Sequence, residues 1–154
     1  MRKKLLFLCT GNSCRSIMAE VLLNHKGKAA YIAYSAGSFP TGQVNPDSLT
    51  ILHENQLPVG NLISQSWNDL SHIDFDIVIT VCDNAANEVC PVYLGRAIKV
   101  HWGINDPDKI VGKKRKQSFD YAFRQLEERI DKLLNLSGCE IDAESLNKIG
   151  EESL

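Results

Sequence analysis

An apolar run, Leu5-Leu6-Phe7-Leu8, ends in Cys9, and Cys9 is followed directly by Thr10-Gly11-Asn12-Ser13-Cys14-Arg15. Five residues separate the cysteine from the arginine. Behind them, Ile17, Met18, Val21 and Leu22 recur at helical spacing. A buried strand, a tight polar loop and a helix starting at Arg15 or Ser16 and running to Lys26 are therefore consecutive. Such a loop turns successive backbone N–H groups, a helix N-terminus and a guanidinium toward one point. That point suits a tetrahedral oxyanion, with a thiol beside it.

The rest of the chain reads as further strand and helix alternation. Tyr31–Ala36 is a second strand, ended by Gly37. Asn45 before Pro46 reads as an N-cap followed by proline at the first helical position, opening a helix to about Asn55. Leu57–Ser66 reads as irregular. Ile77-Val78-Ile79-Thr80-Val81 is β-branched throughout and apolar on both faces, as in a covered parallel sheet. Ala97–His101 is a fourth strand. A last helix covers Ser118–Leu136, with Gly138 to stop it. Glu140–Leu154 reads as a short docked helix or a frayed tail. This order implies an α/β fold: an open, mainly parallel four-stranded sheet with helices on both faces. Ligands in such sheets bind beyond the carboxyl ends of the strands. Cys9, Cys82 and the His101–Asp106 loop all follow strand ends, so parallel strands would bring them to one rim.

Length and charge narrow the class. A chain of 154 residues is most simply one domain, residues 1–154, with 139–154 as a C-terminal extension. A net charge of −2 gives no general reason to expect nucleic acid or an acidic membrane as partner. The basic run Lys113-Lys114-Arg115-Lys116 reads as a solvated loop. The basic start and Leu5–Leu8 are too short for a signal-peptide core, and no stretch approaches the ~18 apolar residues of a membrane span. A cytoplasmic protein is the expectation. Its five cysteines, Cys9, Cys14, Cys82, Cys90 and Cys139, then have no closed disulfide framework to serve.

Chemistry can be assigned to several of these residues. A thiol of ordinary pKa near 8.5 falls to about 3.5–7.5 beside a helix N-terminus or a cation, and the loop supplies both to Cys9. Arg15 keeps its charge and can grip two oxygens at once. Gly11 allows close backbone approach, Asn12 tolerates left-handed geometry, and Ser13 and Ser16 can donate within the loop. Thr10 and Cys14 complete the oxyanion-binding set of Thr10, Gly11, Asn12, Ser13, Cys14, Arg15 and Ser16. Asp106, before Pro107, can protonate a departing oxide. Cys82 and Cys90 admit three readings. They are zinc ligands, although no second cysteine pair or close histidine set accompanies them. They are inert buried thiols. Or they form a redox relay, in which Cys82 attacks an adduct on Cys9 and a mobile polar segment, 83–88, brings Cys90 to Cys82. No metal or tightly bound cofactor is expected. His25, His53 and His72 read as solvated, and His101 and Trp102 as packing at the rim.

Cys9 through Ser16, with Met18-Ala19-Glu20 behind them, Ser35-Ala36-Gly37 and Asp106-Pro107 resemble the low-molecular-weight tyrosine phosphatase superfamily over nearly the whole chain. Val78-Ile79-Thr80-Val81-Cys82-Asp83, Cys90-Pro91-Val92 and His101-Trp102-Gly103 resemble the bacterial arsenate reductases within it. The phosphatases usually carry two tyrosines after the Asp-Pro step, where this chain has Asp108-Lys109-Ile110. The resemblance implies arsenate as substrate, with phosphate or sulfate as competing oxyanions. It implies Cys9 as nucleophile, Arg15 as anion ligand, Asp106 as acid, then a Cys9–Cys82 and a Cys82–Cys90 disulfide. An external reductant, thioredoxin or glutathione with glutaredoxin, would close the cycle. The alternative it leaves is a tyrosine phosphatase. Some members bind potassium through residues matching Asn12, Glu20 and Ser35 plus an aspartate, and Gln65 stands near that last position here.

Overall fold

The computed structural model describes residues 1–152. Strand β1 (Lys3–Leu8) leads through the polar loop into helix α1 (Arg15–Lys26), and β2 (Tyr31–Ala36) returns beside β1. Helix α2 (Pro46–Glu54), β3 (Ile77–Thr80), the short helix α3 (Asp83–Asn87), β4 (Ile98–His101), α4 (Arg115–Leu134) and α5 (Ala143–Glu151) follow. The sheet order is β2-β1-β3-β4, and every pairing is parallel. All four residues of β3 are buried, so both faces of the sheet are covered, as its unbroken β-branched run requires.

β1 runs between β2 and β3, so the chain leaving Leu8 emerges where the strand order reverses. Ligands bind at this switch point in open α/β sheets. Cys9 N–H donates to Ala36 O, and Val81 N–H donates to Leu8 O, which brings the three strand ends level. Gly37 makes close approach possible. A Cβ there would lie 2.3 Å from Thr10 O and 2.5 Å from Cys9 O.

At α2 the Asn45 side chain accepts from Asp47 N–H and Pro46 occupies the first turn, as the sequence predicts. Two boundaries differ from expectation. Helix α4 begins at Arg115, not Ser118, because a 3₁₀ turn at Gly112–Lys114 feeds it directly and Arg115 is tied down by its side chain. It ends at Leu134, capped by Asn135, whose N–H reaches Asp131 O. Gly138 does not stop it. Instead it opens a 3₁₀ turn boxed by Ser137 and Glu140. The C-terminal segment is a docked helix: Leu146 and Ile149 of α5 are buried, and the fully buried Trp102 donates from its indole to Leu146 O at 2.9 Å. Residues 153–154 of that segment lie outside the described residues. Among the described residues, no helix is long and apolar enough to cross a membrane.

Candidate active site

A cavity of about 690 Å³ opens at the carboxyl ends of β1, β3 and β4. Its lining includes Cys9, Arg15, Cys82, Asp106 and most of the predicted anion loop, so the rim expected from strand order exists.

The loop is shaped from below. Asn12 is buried in the left-handed region, at φ 46°. Its amide donates to Ser16 Oγ at 2.9 Å, and its carbonyl accepts from Gln65 N–H at 2.8 Å. Ser16 therefore serves the loop from beneath. Cys14 stands at the N-cap of α1 with no side-chain cap bond and no acidic residue in the first turn. The first amides of a twelve-residue helix are thus left for an anion. Arg15 donates from Nη1 to Ile104 O at 2.8 Å, and its Nη2 lies 3.5 Å from Asp106 Oδ2. Its Nε is buried without a hydrogen-bond partner among the described residues.

Asp106 caps its own turn: Oδ1 accepts from Asp108 N–H at 3.0 Å, which leaves Oδ2 toward Arg15. The loop carrying it is also held by a residue the motif reading missed. Buried Arg129 of α4 donates to Gly103 O at 3.0 Å. No local signal distinguishes that arginine from the surface charges beside it.

Cys82 is the decisive placement. Its buried sulfur accepts from Thr10 N–H and from Ala85 N–H, each at 3.4 Å, so it caps α3 and penetrates the anion loop at the same time. Thr10 Oγ1 donates to Glu88 Oε1 at 3.0 Å. The Cys9 and Cys82 thiols act on each other, and their titration belongs to the pair. The Cys82 thiol is pulled down to about 5, first by the bond from Cys9 and then, against burial, by the amides of Thr10 and Ala85. The same bond and then burial push the Cys9 thiol up, against Arg15 and the Gly11 amide. Cys82 and burial thus oppose the lowering of Cys9 expected from Arg15 and the helix N-terminus, while the Cys82 sulfur has backbone donors of its own from Thr10 and Ala85.

The other cysteines separate. Cys90 does not share the cavity of Cys9 and Cys82. It lines a smaller one of about 240 Å³ with Ala85, Lys99, His101 and Asn147, on the far side of α3. The segment 83–88, expected as a mobile loop, is largely helix, with Ala85 buried beneath it. His101 ties α3 down, its Nε2 3.0 Å from Asp83 Oδ1 and its Nδ1 2.8 Å from Thr80 Oγ1. Cys139 is exposed, and all five cysteines are free thiols.

The residues matching a potassium site do not fit a cation. Ser35 Oγ donates to Glu20 Oε1 at 2.5 Å, and Gln65 Nε2 donates to Ser35 O at 3.0 Å. With Asn12 Oδ1 also accepting from Gln65 N–H, the oxygens are turned to protein donors, and Glu20 is the only carboxylate among the four. Burial raises Glu20 to about 7 despite the Ser35 bonds.

The model of the low molecular weight phosphotyrosine protein phosphatase family matches residues 4–149. An arsenate reductase of Shouchella clausii is 41% identical over 122 residues, spanning 76% of this chain and 84% of that protein. A solved arsenate reductase in the phosphate binding state superposes with a TM-score of 0.74 at 26% identity, over 86% of this chain and 96% of that one. The arsenate reductase of Archaeoglobus fulgidus superposes at 0.71 with 28% identity, over 86% and 99% of the two chains.

Proposed function

The chain belongs to the low molecular weight phosphotyrosine protein phosphatase family, and from that premise we propose that it is a thiol-dependent arsenate reductase. The observation that carries the reading is the Cys82 sulfur inside the anion loop, hydrogen-bonded to Thr10 N–H. Ester hydrolysis needs a nucleophile, an arginine and an acid. A second thiol at the nucleophile has work only in a redox reaction.

Arsenate enters the cradle of loop amides and Arg15. Cys9 attacks arsenic, its proton passing to the Cys82 sulfur. An As–O bond breaks, and Asp106 supplies the proton with which the oxygen leaves as water. Solvent removes the proton from Cys82, a loss favoured by the Thr10 and Ala85 amides. Cys82 then attacks the Cys9 sulfur. An S–S bond forms, the S–As bond breaks, and its electron pair stays on arsenic, which departs as arsenite. Cys90 attacks Cys82 next and frees Cys9, leaving a Cys82–Cys90 disulfide for an external dithiol. That reductant is thioredoxin, or glutathione with glutaredoxin. The last exchange requires α3 to open, because Cys82 and Cys90 face different cavities. A five-residue helix capped by the attacking sulfur itself is suited to this, since its cap is lost when Cys82 reacts.

Arsenate-dependent NADPH oxidation, with the thioredoxin and glutaredoxin systems supplied separately, tests the proposal. The wild type should turn over with one of them, and Cys82→Ser should lose turnover by at least about a thousandfold. Intact turnover in that variant refutes the relay.

A further inference from the structure

We propose that Arg115 is a positioning residue for Asp106, acting through Asp108 and Asn45. The inference rests on the reading of Asp106 as the proton donor. The four-residue basic run around Arg115 carries no chemistry in the proposed reaction, yet the structure gives its members different surroundings. Lys116 pairs with Glu54 on the outer surface. Arg115 instead clasps two segments, α2 and residues 108–110, with one guanidinium. Its Nη2 donates to Asp108 Oδ1 at 2.8 Å, and its Nη1 to Asp108 O at 3.0 Å and Ile110 O at 3.1 Å. Its Nε donates to Asp47 Oδ2 at 2.7 Å. The group lies 5.0 Å over the ring of the buried Phe119, which limits where it can swing.

The two ends of this clasp meet the site. Asn45 Nδ2 donates to the same Asp108 oxygen at 2.9 Å, and Asn45 N–H donates to Ser13 O of the anion loop at 3.0 Å. Asp108 N–H holds Asp106 Oδ1 and leaves Oδ2 toward Arg15. The backbone that orients the acid is thereby fixed to the backbone that binds the anion, and Arg115 joins the two. An exposed ion pair adds little to stability. A planar fork with four acceptors on two segments supplies geometry instead, and a small misplacement of a proton donor is expensive in rate. Lysine, with one point of charge, cannot reproduce it.

The test uses the full chain with Arg115→Met, Arg115→Lys and Asp108→Asn. Arg115→Met should lower kcat for arsenate about tenfold, with KM within about threefold, because the loop amides still bind the anion. Its pH profile should lose the alkaline fall that marks a required acid. Arg115→Lys should recover less than a third of the loss, whereas Asp108→Asn, which keeps an acceptor oxygen, should recover most. Hydrogen exchange of residues 106–110 should speed about tenfold in Arg115→Met, with residues 10–16 unchanged. Unchanged exchange, or kcat and KM moving together with the pH profile intact, overturns the proposal. A wild type that does not reduce arsenate would instead defeat the functional reading, and hydrogen exchange would still decide the clasp.

Discussion

The Thr10 amide donates to the Cys82 sulfur across 72 residues of chain, at 3.4 Å. That bond puts the thiol at the end of β3 into a loop built for anions. It also means that the loop's electrostatics act on two sulfurs at once. Ionisation of either cannot be discussed without the other.

The first prediction concerns that shared charge. Thiolate absorbance of the reduced, ligand-free protein should titrate with a midpoint near 5, because the Cys82 sulfur is held ionised by the Cys9 bond and two amides. The charge is present above that pH and lost below it. Cys82→Ser should shift the midpoint, since Cys9 then loses the interaction that leads its upward shift and keeps Arg15 and the Gly11 amide. Cys9→Ser should move it upward, since the leading cause of the Cys82 shift is Cys9. A midpoint unmoved in both variants would place the anion elsewhere.

Cys90→Ser should stop the relay one step short. After a single turnover with arsenate, mass spectrometry should find a Cys9–Cys82 disulfide accumulated to near stoichiometry. In the wild type it should find Cys82–Cys90 instead. Free thiols throughout, after arsenite has been released, would contradict the sequence of attacks.

Glu20 should make stability depend on pH. Its folded pKa of about 7 exceeds the ordinary 4.5. Between those values the folded state keeps a proton that the unfolded chain has released, so stability is full below pH 4.5 and falls as pH rises to about 7. The total loss is roughly 3 kcal/mol at most. Glu20→Gln keeps an acceptor for Ser35 and removes the titration. Denaturant melts at pH 4.5 and pH 8 should show the variant gaining on the wild type only at the higher pH. Parallel curves for the two proteins would rule out this origin.

Gly37→Ala should damage the site through backbone alone. The new methyl would meet the Thr10 and Cys9 carbonyl oxygens at 2.3 and 2.5 Å, and neither belongs to a flexible side chain. We expect about 1–3 kcal/mol of destabilisation. We also expect weaker phosphate protection of Cys9 against alkylation, because the displaced carbonyls carry the loop with them. Full protection at unchanged phosphate concentration would show that the strand end, not the loop, had moved.

What could be read from the chain was local. Leu5–Leu8 before Cys9, the left-handed Asn12, the free first turn of α1, Asn45 capping Pro46 and the apolar β3 each depend on neighbours within about a helical turn. Order and spacing of those elements sufficed for a parallel open sheet, and strand ends then located the rim. The sequence alone therefore located the rim and the strand end that brings Cys9 to it.

Tertiary structure decided the rest. Sheet register, not spacing, brought Thr10 to Cys82 and gave that sulfur a donor that lowers its pKa. The packing of α3 placed Cys90 in a separate cavity, although eight positions along the chain had suggested easy contact. Arg115 read as one charge in a solvated run until its fork was seen on Asp47, 68 residues away. Gln65 read as a missing carboxylate, and the fold shows its amide nitrogen on Ser35 O. Short-range pattern encodes hydrogen bonds that the backbone makes to itself. Which sulfur is charged and which arginine orients the acid depend on desolvation and on donors from distant segments, and these exist only once the layers have packed.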